Sequence, residues 1–163
     1  MSAAARFDSL LVPEALLRYV TGQFEANLDD IHGVDHWERV RKNGVELVAR
    51  IPGADTVVVE YFSLLHDSRR WSNDRDPDHG RRAAEFVRSL PEEFLPLDPA
   101  RRLLLSSACE EHADGRTEGD PTLLACWDAD RLDLGRAGIQ VKASRLCTDA
   151  ARELLKKRNP EPS

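Results

Sequence analysis

Cysteine is scarce in this chain. Cys109, Cys126 and Cys147 are odd in number, stand far apart and form no C-x-x-C pair, which excludes a disulfide framework and a zinc ribbon. Buried, reduced thiols and a cytoplasmic setting are expected instead. No apolar run reaches the length of a membrane span or a signal-peptide core, and Arg6 and Asp8 interrupt the first apolar stretch, so neither a membrane nor export is expected. A basic excess is missing too. The 23 Lys and Arg residues against 29 Asp and Glu residues give a formal charge of −6, which leaves no footprint for a stable complex with duplex nucleic acid. Small anionic substrates stay open to a locally basic pocket. Alternating, strand-like stretches are almost absent, and apolar positions recur with helical period nearly everywhere, so the fold class is all-α. The chain also lacks G-x-x-x-x-G-K-[ST] and G-x-S-x-G, the marks of a phosphate-cradling loop and a nucleophile elbow.

What is present is a globular composition, 41% hydrophobic and 32% charged over 163 residues, enough for one domain spanning residues 1–163 and too short for two. About six to seven helices in a compact bundle are predicted. The first starts near Pro13 and carries Leu16, Leu17, Val20 and Phe24 on one face. The next starts at Asp35, with Asp35 and Glu38 as an acidic capping box, and ends at Pro52-Gly53. Thr56 to Asp67 reads as a buried central helix because its apolar residues crowd all round. A polar loop, SRRWSNDRDPDHG at 68–80, follows as the mouth of a site. Three Asp-Pro pairs (Asp76-Pro77, Asp98-Pro99, Asp120-Pro121) each place an N-cap before a proline at the first helical position. They open helices over Pro77–Leu90, Pro99–His112 and Pro121–Leu134, followed by a last helix from Thr148 to Lys157 and a frayed tail over 159–163.

The strongest local chemical signal is His66-Asp67 at the end of the apolar helix. An imidazole nitrogen and a carboxylate oxygen on adjacent residues reach one divalent cation, and the helix behind them fixes their direction. A calcium-loop reading of Asp74, Asp76, Asp78 and Glu85 fails, because the glycine of the sixth position stands one place late at Gly80 and Pro77 opens a helix inside the loop. Asp128-Ala-Asp130 lacks the buried strand and doubly wound sheet that a DxD phosphatase needs. Asp128 and Asp130 lie about 200° apart on a helix, so only one of them faces a given site.

HGVDHWERV at 32–40, LLHD at 64–67 and CWDADRLDLGRAGI at 126–139 together resemble the ordered His … His-Asp … Asp signature of the HD superfamily, over about residues 31–139. The resemblance implies a small helical metal-dependent phosphohydrolase with His36, His66, Asp67 and Asp130 as ligands. The histidine stands in an H-x-x-R-V-like helix start with Arg39 and Val40, and Asp130 in an A-D-x-L stretch. His79 and His112 match the extra histidines of two-metal HD proteins, and would hold a second ion or the substrate phosphate. The cofactor implied is divalent (Mn, Mg, Co, Fe or Ni), one ion with a second possible.

Arg69, Arg70 and Arg75 in the loop after the His-Asp pair, Arg131 after the last ligand, and His32 are candidate substrate contacts. Some nucleotide-hydrolysing relatives use a basic residue at the position of Arg131 to hold phosphate. Asp67, Glu110 and Glu111 are candidates for orienting water or passing protons. Some mononuclear relatives place a catalytic glutamate where this chain has Arg70, which leaves the general acid or base unassigned. The expected reaction is cleavage of a phosphoester or phosphoanhydride, in a nucleotide, by metal-activated water. The alternatives are a di-iron oxygenase and a non-catalytic sensor or interaction module held together by its metal.

Overall fold

The computed structural model describes residues 2–160 and 162; residues 1, 161 and 163, part of the tail expected to fray among them, lie outside the described residues. The α-helices are α1 (Ala3–Arg6), α2 (Glu14–Gln23), α3 (Val34–Val48), α4 (Thr56–Leu65), α5 (His79–Ser89), α6 (Pro99–Glu111), α7 (Pro121–Arg131) and α8 (Asp149–Arg158), with two 3-10 turns at Leu134–Ala137 and Ala143–Arg145. No strand occurs among the described residues. The fold is all-α.

Helix α4 is the axis of the bundle. Every residue from Val58 to Leu65 is buried, because α3, α6 and α7 surround it while α5 packs on α6 from outside. The valines at its start are β-branched but bring no sheet, since burial on all faces outweighs their modest helix penalty. Asp55 caps it by accepting from the Val57 amide. Trp37 and Trp127 are fully buried and each indole donates, to the carbonyls of His32 (2.9 Å) and Ala108 (3.2 Å). The first bond anchors the 25–33 connection to α3, and the second ties α7 to α6.

Two glycines permit close helix contacts, one in the core and one beside the histidine cluster. A Cβ on Gly44 would lie 2.3 Å from Val59 Cγ1, so α3 rests directly on α4. A Cβ on Gly80 would meet the carbonyl oxygens of Cys109 and Glu110 at 2.8 and 2.9 Å. Only a bare Cα lets the start of α5 reach the end of α6 this closely.

Several expected boundaries move. Helix α3 opens one residue early, with Gly33 as its N-cap and no side-chain cap. Asp35 instead accepts from Arg6, and Glu38 accepts from the Asp8 amide and from Arg41. The capping box is therefore replaced by the Arg6–Asp35 ion pair and the Asp8 amide bond to Glu38, which strap the N-terminal segment onto α3. The Asp-Pro device caps α6 and α7 but not α5, which begins at His79. Asp76 is drawn away by the Trp71 amide and by Arg82. Helix α7 stops at Arg131, and the chain tightens into the 134–137 turn. The short helix α1 had no counterpart in the sequence pattern. No helix of the described residues is long and apolar enough to cross a membrane.

The Gly80 contact yields a stability test. Gly80→Ala should lower unfolding free energy by about 1–3 kcal/mol, the usual cost of overpacking a fixed backbone approach, read as a lower midpoint in urea. An unchanged midpoint would mean that α5 and α6 stand further apart.

Candidate metal centre

All five histidines of the chain are buried, none more than 7% exposed, and they gather round one carboxylate, Asp67. Four helix ends supply four of them, and His32 comes from the turn before α3. His36 stands in the first turn of α3, His66 caps the C-terminus of α4 with Asp67 next to it, His79 opens α5, and His112 caps the C-terminus of α6. At the C-terminal ends of α4 and α6 backbone carbonyls hold the far side of the ring, whereas His36 and His79, at N-terminal ends, use the Asp133 carboxylate and the Asp76 carbonyl.

The Nδ1 side of each of the four rings is occupied by an acceptor. His36 Nδ1 lies 2.7 Å from Asp133 Oδ2, His66 Nδ1 3.0 Å from the Phe62 carbonyl and His112 Nδ1 2.6 Å from the Cys109 carbonyl, while His79 Nδ1 faces the Asp76 carbonyl. Each Nδ1 therefore carries a hydrogen, and each ring, when neutral, turns its Nε2 lone pair inward. His36 and His66 Nε2 are 3.0 Å apart, and His79 and His112 Nε2 are 2.8 Å apart. Two lone pairs at such separations need a cation between them, a proton or a metal ion.

The spacing also fits an ion. Two ligands about 2.1 Å from one metal and at right angles to each other are about 3.0 Å apart. Asp130 Oδ1 lies 3.2 and 3.4 Å from the Nε2 atoms of His36 and His66, and Asp67 Oδ2 lies 3.4 and 3.5 Å from them. The other oxygen, Asp67 Oδ1, lies 3.3 and 3.4 Å from His79 and His112. Thus Asp67 joins two buried ligand groups, His36–His66–Asp67 and Asp67–His79–His112. Asp130 Oδ1 is buried without a hydrogen-bond partner. An orphaned carboxylate oxygen beside two inward lone pairs fits a divalent cation.

The electrostatics agree. Burial acts to lower the His36 pKa, but Asp130, Asp133 and Asp67 together overcome it, and the group is pushed up to about 10. Burial likewise acts to raise Asp67 and Asp130, yet both are held well below the usual carboxylate range by the imidazoles facing them. A metal ion answers the same pull and displaces protons when it binds.

The rival aspartates separate cleanly. Asp128 is fully buried on the opposite side of α7, where it accepts from the amides of Cys147 and Thr148 and from the Thr148 hydroxyl at 2.6, 3.0 and 2.7 Å. It fastens the start of α8. Asp130 alone of the two reaches the histidines.

The cluster floors a cavity of about 600 Å³ whose walls include His32, Arg70, Arg131, Arg136 and Arg145. His32 Nδ1 lies 3.2 Å from Asp67 Oδ2, and Arg70 Nε donates to Asp67 Oδ1 at 3.2 Å. Arg131 is buried and donates to the Arg145 carbonyl at 3.0 Å. Other expected contacts do not arrive. Arg69 turns outward, bonding Gln23 and stacking on Phe86, and Arg75 is exposed. Glu110 is exposed and pairs with Arg88 on the α5 side, because the helical turn that aims His112 inward aims Glu110 out. Glu111 faces Arg116 at 3.9 Å and does not line the cavity.

Two residues were missed. Asp133 accepts from His36 and, at 2.8 Å, from Arg39; its place three residues after Asp130 was the available signal. Arg136 lies 3.7 Å from Asp130 Oδ1 and had no signal, since the 3-10 turn that aims it begins where a helix was expected to continue.

Two outcomes are expected. Asp130→Asn should strip bound metal while leaving the fold, whereas Asp128→Asn should keep metal but cost about 3 kcal/mol of stability, the upper end for unpaired buried groups; metal analysis and urea melts check the ranking. The second concerns pH in chelator-treated protein. The raised His36 pKa contributes stability that is fully present below 6.5 and lost as pH rises through about 10, while the lowered Asp67 and Asp130 contribute above 3.8 and lose it as pH falls. The melting temperature should therefore fall from pH 7 to pH 10, and added Mn²⁺ should oppose the fall. A flat profile would contradict the carboxylate grip on His36.

No family model and no curated protein matches the sequence. Among solved structures, the fold is similar to a predicted HD superfamily hydrolase from an uncultured Thermotogales bacterium, with a TM-score of 0.69 and 27% identity over 88% of this chain and 83% of that one. The buried His/Asp groups fit a metal-dependent HD hydrolase. The fold is similar to that of an HD-superfamily protein, as the order of the motifs implied.

Proposed function

We propose that the chain is a metal-dependent phosphohydrolase that cleaves a phosphoester or phosphoanhydride in a small substrate of nucleotide size, within one domain and in the cytoplasm. The observation that carries this reading is the unpartnered Asp130 Oδ1 beside paired inward Nε2 atoms, at the floor of a cavity walled by arginines. A cavity of this volume suits a small organic ligand.

His36, His66, Asp67 and Asp130 would hold the ion, which when bound supplies Lewis acidity and lowers the pKa of water toward neutrality. The chain's own residues do the rest. Arg70, Arg131 and Arg136 line the cavity on the substrate side and would hold phosphoryl oxygens by charge-assisted bonds as negative charge grows on them. His32, whose Nδ1 faces Asp67, stands where a proton is held at the edge of the cluster. Asp133, braced by Arg39, keeps the His36 ring oriented and its hydrogen on Nδ1.

The second group, Asp67 with His79 and His112, shares its space with the Arg70 guanidinium, whose Nη2 lies 3.5 Å from His79 Nε2. That cation favours one ion, with a phosphoryl oxygen drawn to the second group, over two ions. It weighs equally against the di-iron oxygenase alternative. An arginine-walled cavity over the cluster favours catalysis over a purely structural metal.

Asp67→Ala is expected to lose bound metal and to lower turnover by at least about 10²–10³-fold, with helical circular dichroism unchanged. The assay is a screen of nucleotide mono-, tri- and cyclic phosphates with Mn²⁺, Mg²⁺, Co²⁺ and Fe²⁺. Full activity in metal-free Asp67→Ala protein would overturn the proposal.

A further inference from the structure

The cavity over the histidine cluster has an apolar side as well as a charged one. Ile31, Leu134, Ala137, Ile139, Val141 and Leu146 line it together with Asp67 and Asp130, and all of the six but Leu146 keep part of their surface in solvent. Scattered apolar side chains on a surface mean little. Several that face one concave site beside ionic groups mark where the uncharged part of a ligand lies. Neutral polar groups are few by comparison. Apart from the histidines, the uncharged polar side chains among the described lining residues are Asn73 and Gln140, and none carries a hydroxyl. Asn73 already donates to Asp30 at 2.9 Å. A hydroxyl-rich body would therefore give up water for alkyl groups that cannot hydrogen-bond, whereas an apolar body would gain from the same transfer.

These side chains come from two segments. Ile31 precedes His32 in the connection before α3, and the others follow α7, where the chain leaves the helix at Arg131 and makes the Leu134–Ala137 turn. Gly138 closes that turn in the left-handed region, at φ 72°, which a side chain disfavours. Its N–H donates to the Gly135 carbonyl at 3.0 Å, and the Ile139 N–H donates back to the Leu134 carbonyl at 3.3 Å. This is the bonding of a glycine stop, in which the residue after the glycine returns to the residue that opened the turn. The Ile139 backbone is thereby fixed at Leu134, yet Ile139 stays 52% exposed. Ile139 and Val141 also line a hollow of about 800 Å³ toward α8. The 139–141 stretch is thus a partition between two open spaces, held in place by its turn and not by burial in the core.

We infer that this wall is the subsite for the uncharged body of the substrate, that the body is apolar, an alkyl chain or an unsaturated ring, and that Leu134 and Ile139 select it. The inference rests on the phosphohydrolase reading and deepens it: the substrate class becomes an organic phosphate with an apolar body, in preference to inorganic phosphate chains and sugar phosphates. Leu134 stands one helical turn beyond Asp130 in the chain, and both line the same cavity. A ligand whose phosphoryl group lies at the cluster therefore has its body within reach of the wall.

The test uses the full chain loaded with one equivalent of Mn²⁺ and freed of excess ion. It is titrated calorimetrically with methyl-, hexyl- and phenylphosphonate, whose carbon–phosphorus bond metal-activated water does not cleave. Hexyl- or phenylphosphonate should bind about 10- to 60-fold more tightly than methylphosphonate, the value of burying about two to three methylene groups, and whichever gains more tells chain from ring. The ratio should fall by about 3- to 10-fold in Leu134→Ser and in Ile139→Ser. It should persist in Leu103→Ser, a like change at an exposed position of α6 outside the cavity. Leu134 is half-buried, so if Leu134→Ser fails to fold, Ile139→Ser decides. Equal affinities for the three probes, no binding of any of them, or a preference that survives Ile139→Ser would overturn the subsite. The two readings fail separately. A chain that hydrolyses phosphate compounds but binds the probes equally keeps the hydrolase and loses the subsite; one that prefers the larger probes through Leu134 and Ile139 but hydrolyses nothing keeps the subsite and loses the hydrolase.

Discussion

The molecule is organised around the pairing of buried imidazoles with the carboxylates of Asp67 and Asp130. Ionisable groups this deep are tolerated only when each has a partner of opposite character, and the cost of an unmatched one is several kcal/mol. Asp67 therefore requires His32, His36, His66, His79 and His112 around it, and these in turn require acceptors for their Nδ1 hydrogens. Phe62, Asp76 and Cys109 supply backbone carbonyls, and Asp133 a carboxylate. Because those acceptors sit at or beside helix ends, α3, α4, α5 and α6 must all bring an end to the same point.

The apolar packing follows from that convergence. Gly44 and Gly80 stand where helices must approach beyond what a side chain permits, and α4, buried on every face, gives His66 and Asp67 a fixed root. Asp128 and Asp130 show how one helix turn divides the work. Residues two apart point to opposite sides of α7, so Asp128 fastens the start of α8 while Asp130 joins the histidines. A buried carboxylate is thus structural or chemical according to what waits across from it.

The cavity draws its character from the segment after α7. If the helix had continued to Leu134, Arg136 would not stand 3.7 Å from Asp130. The stop at Arg131, followed by the 134–137 turn, brings two arginines to one wall and gives an acidic protein a locally positive mouth. Charge balance over the whole chain therefore says little about the substrate, whereas the few groups facing the cavity say much.

Helical periodicity alone determined the all-α class and the burial of α4, because apolar residues on every side of a ten-residue segment leave it only a central place. The resemblance of the ordered motifs likewise pointed to His36, His66, Asp67 and Asp130 before any geometry, and the fold brings these four side chains together. Local rules failed where another group competed: Arg6 and the Asp8 amide took the Asp35 and Glu38 carboxylates from their expected caps, and the Trp71 amide and Arg82 took Asp76. Only the tertiary structure decided which arginines face the site, because a long side chain reaches either way and its partner is chosen by what packs nearby. Gln23 and Phe86 drew Arg69 outward, and the carbonyls of Arg145 and Asp133 fixed Arg131 and Arg136 at the cavity wall.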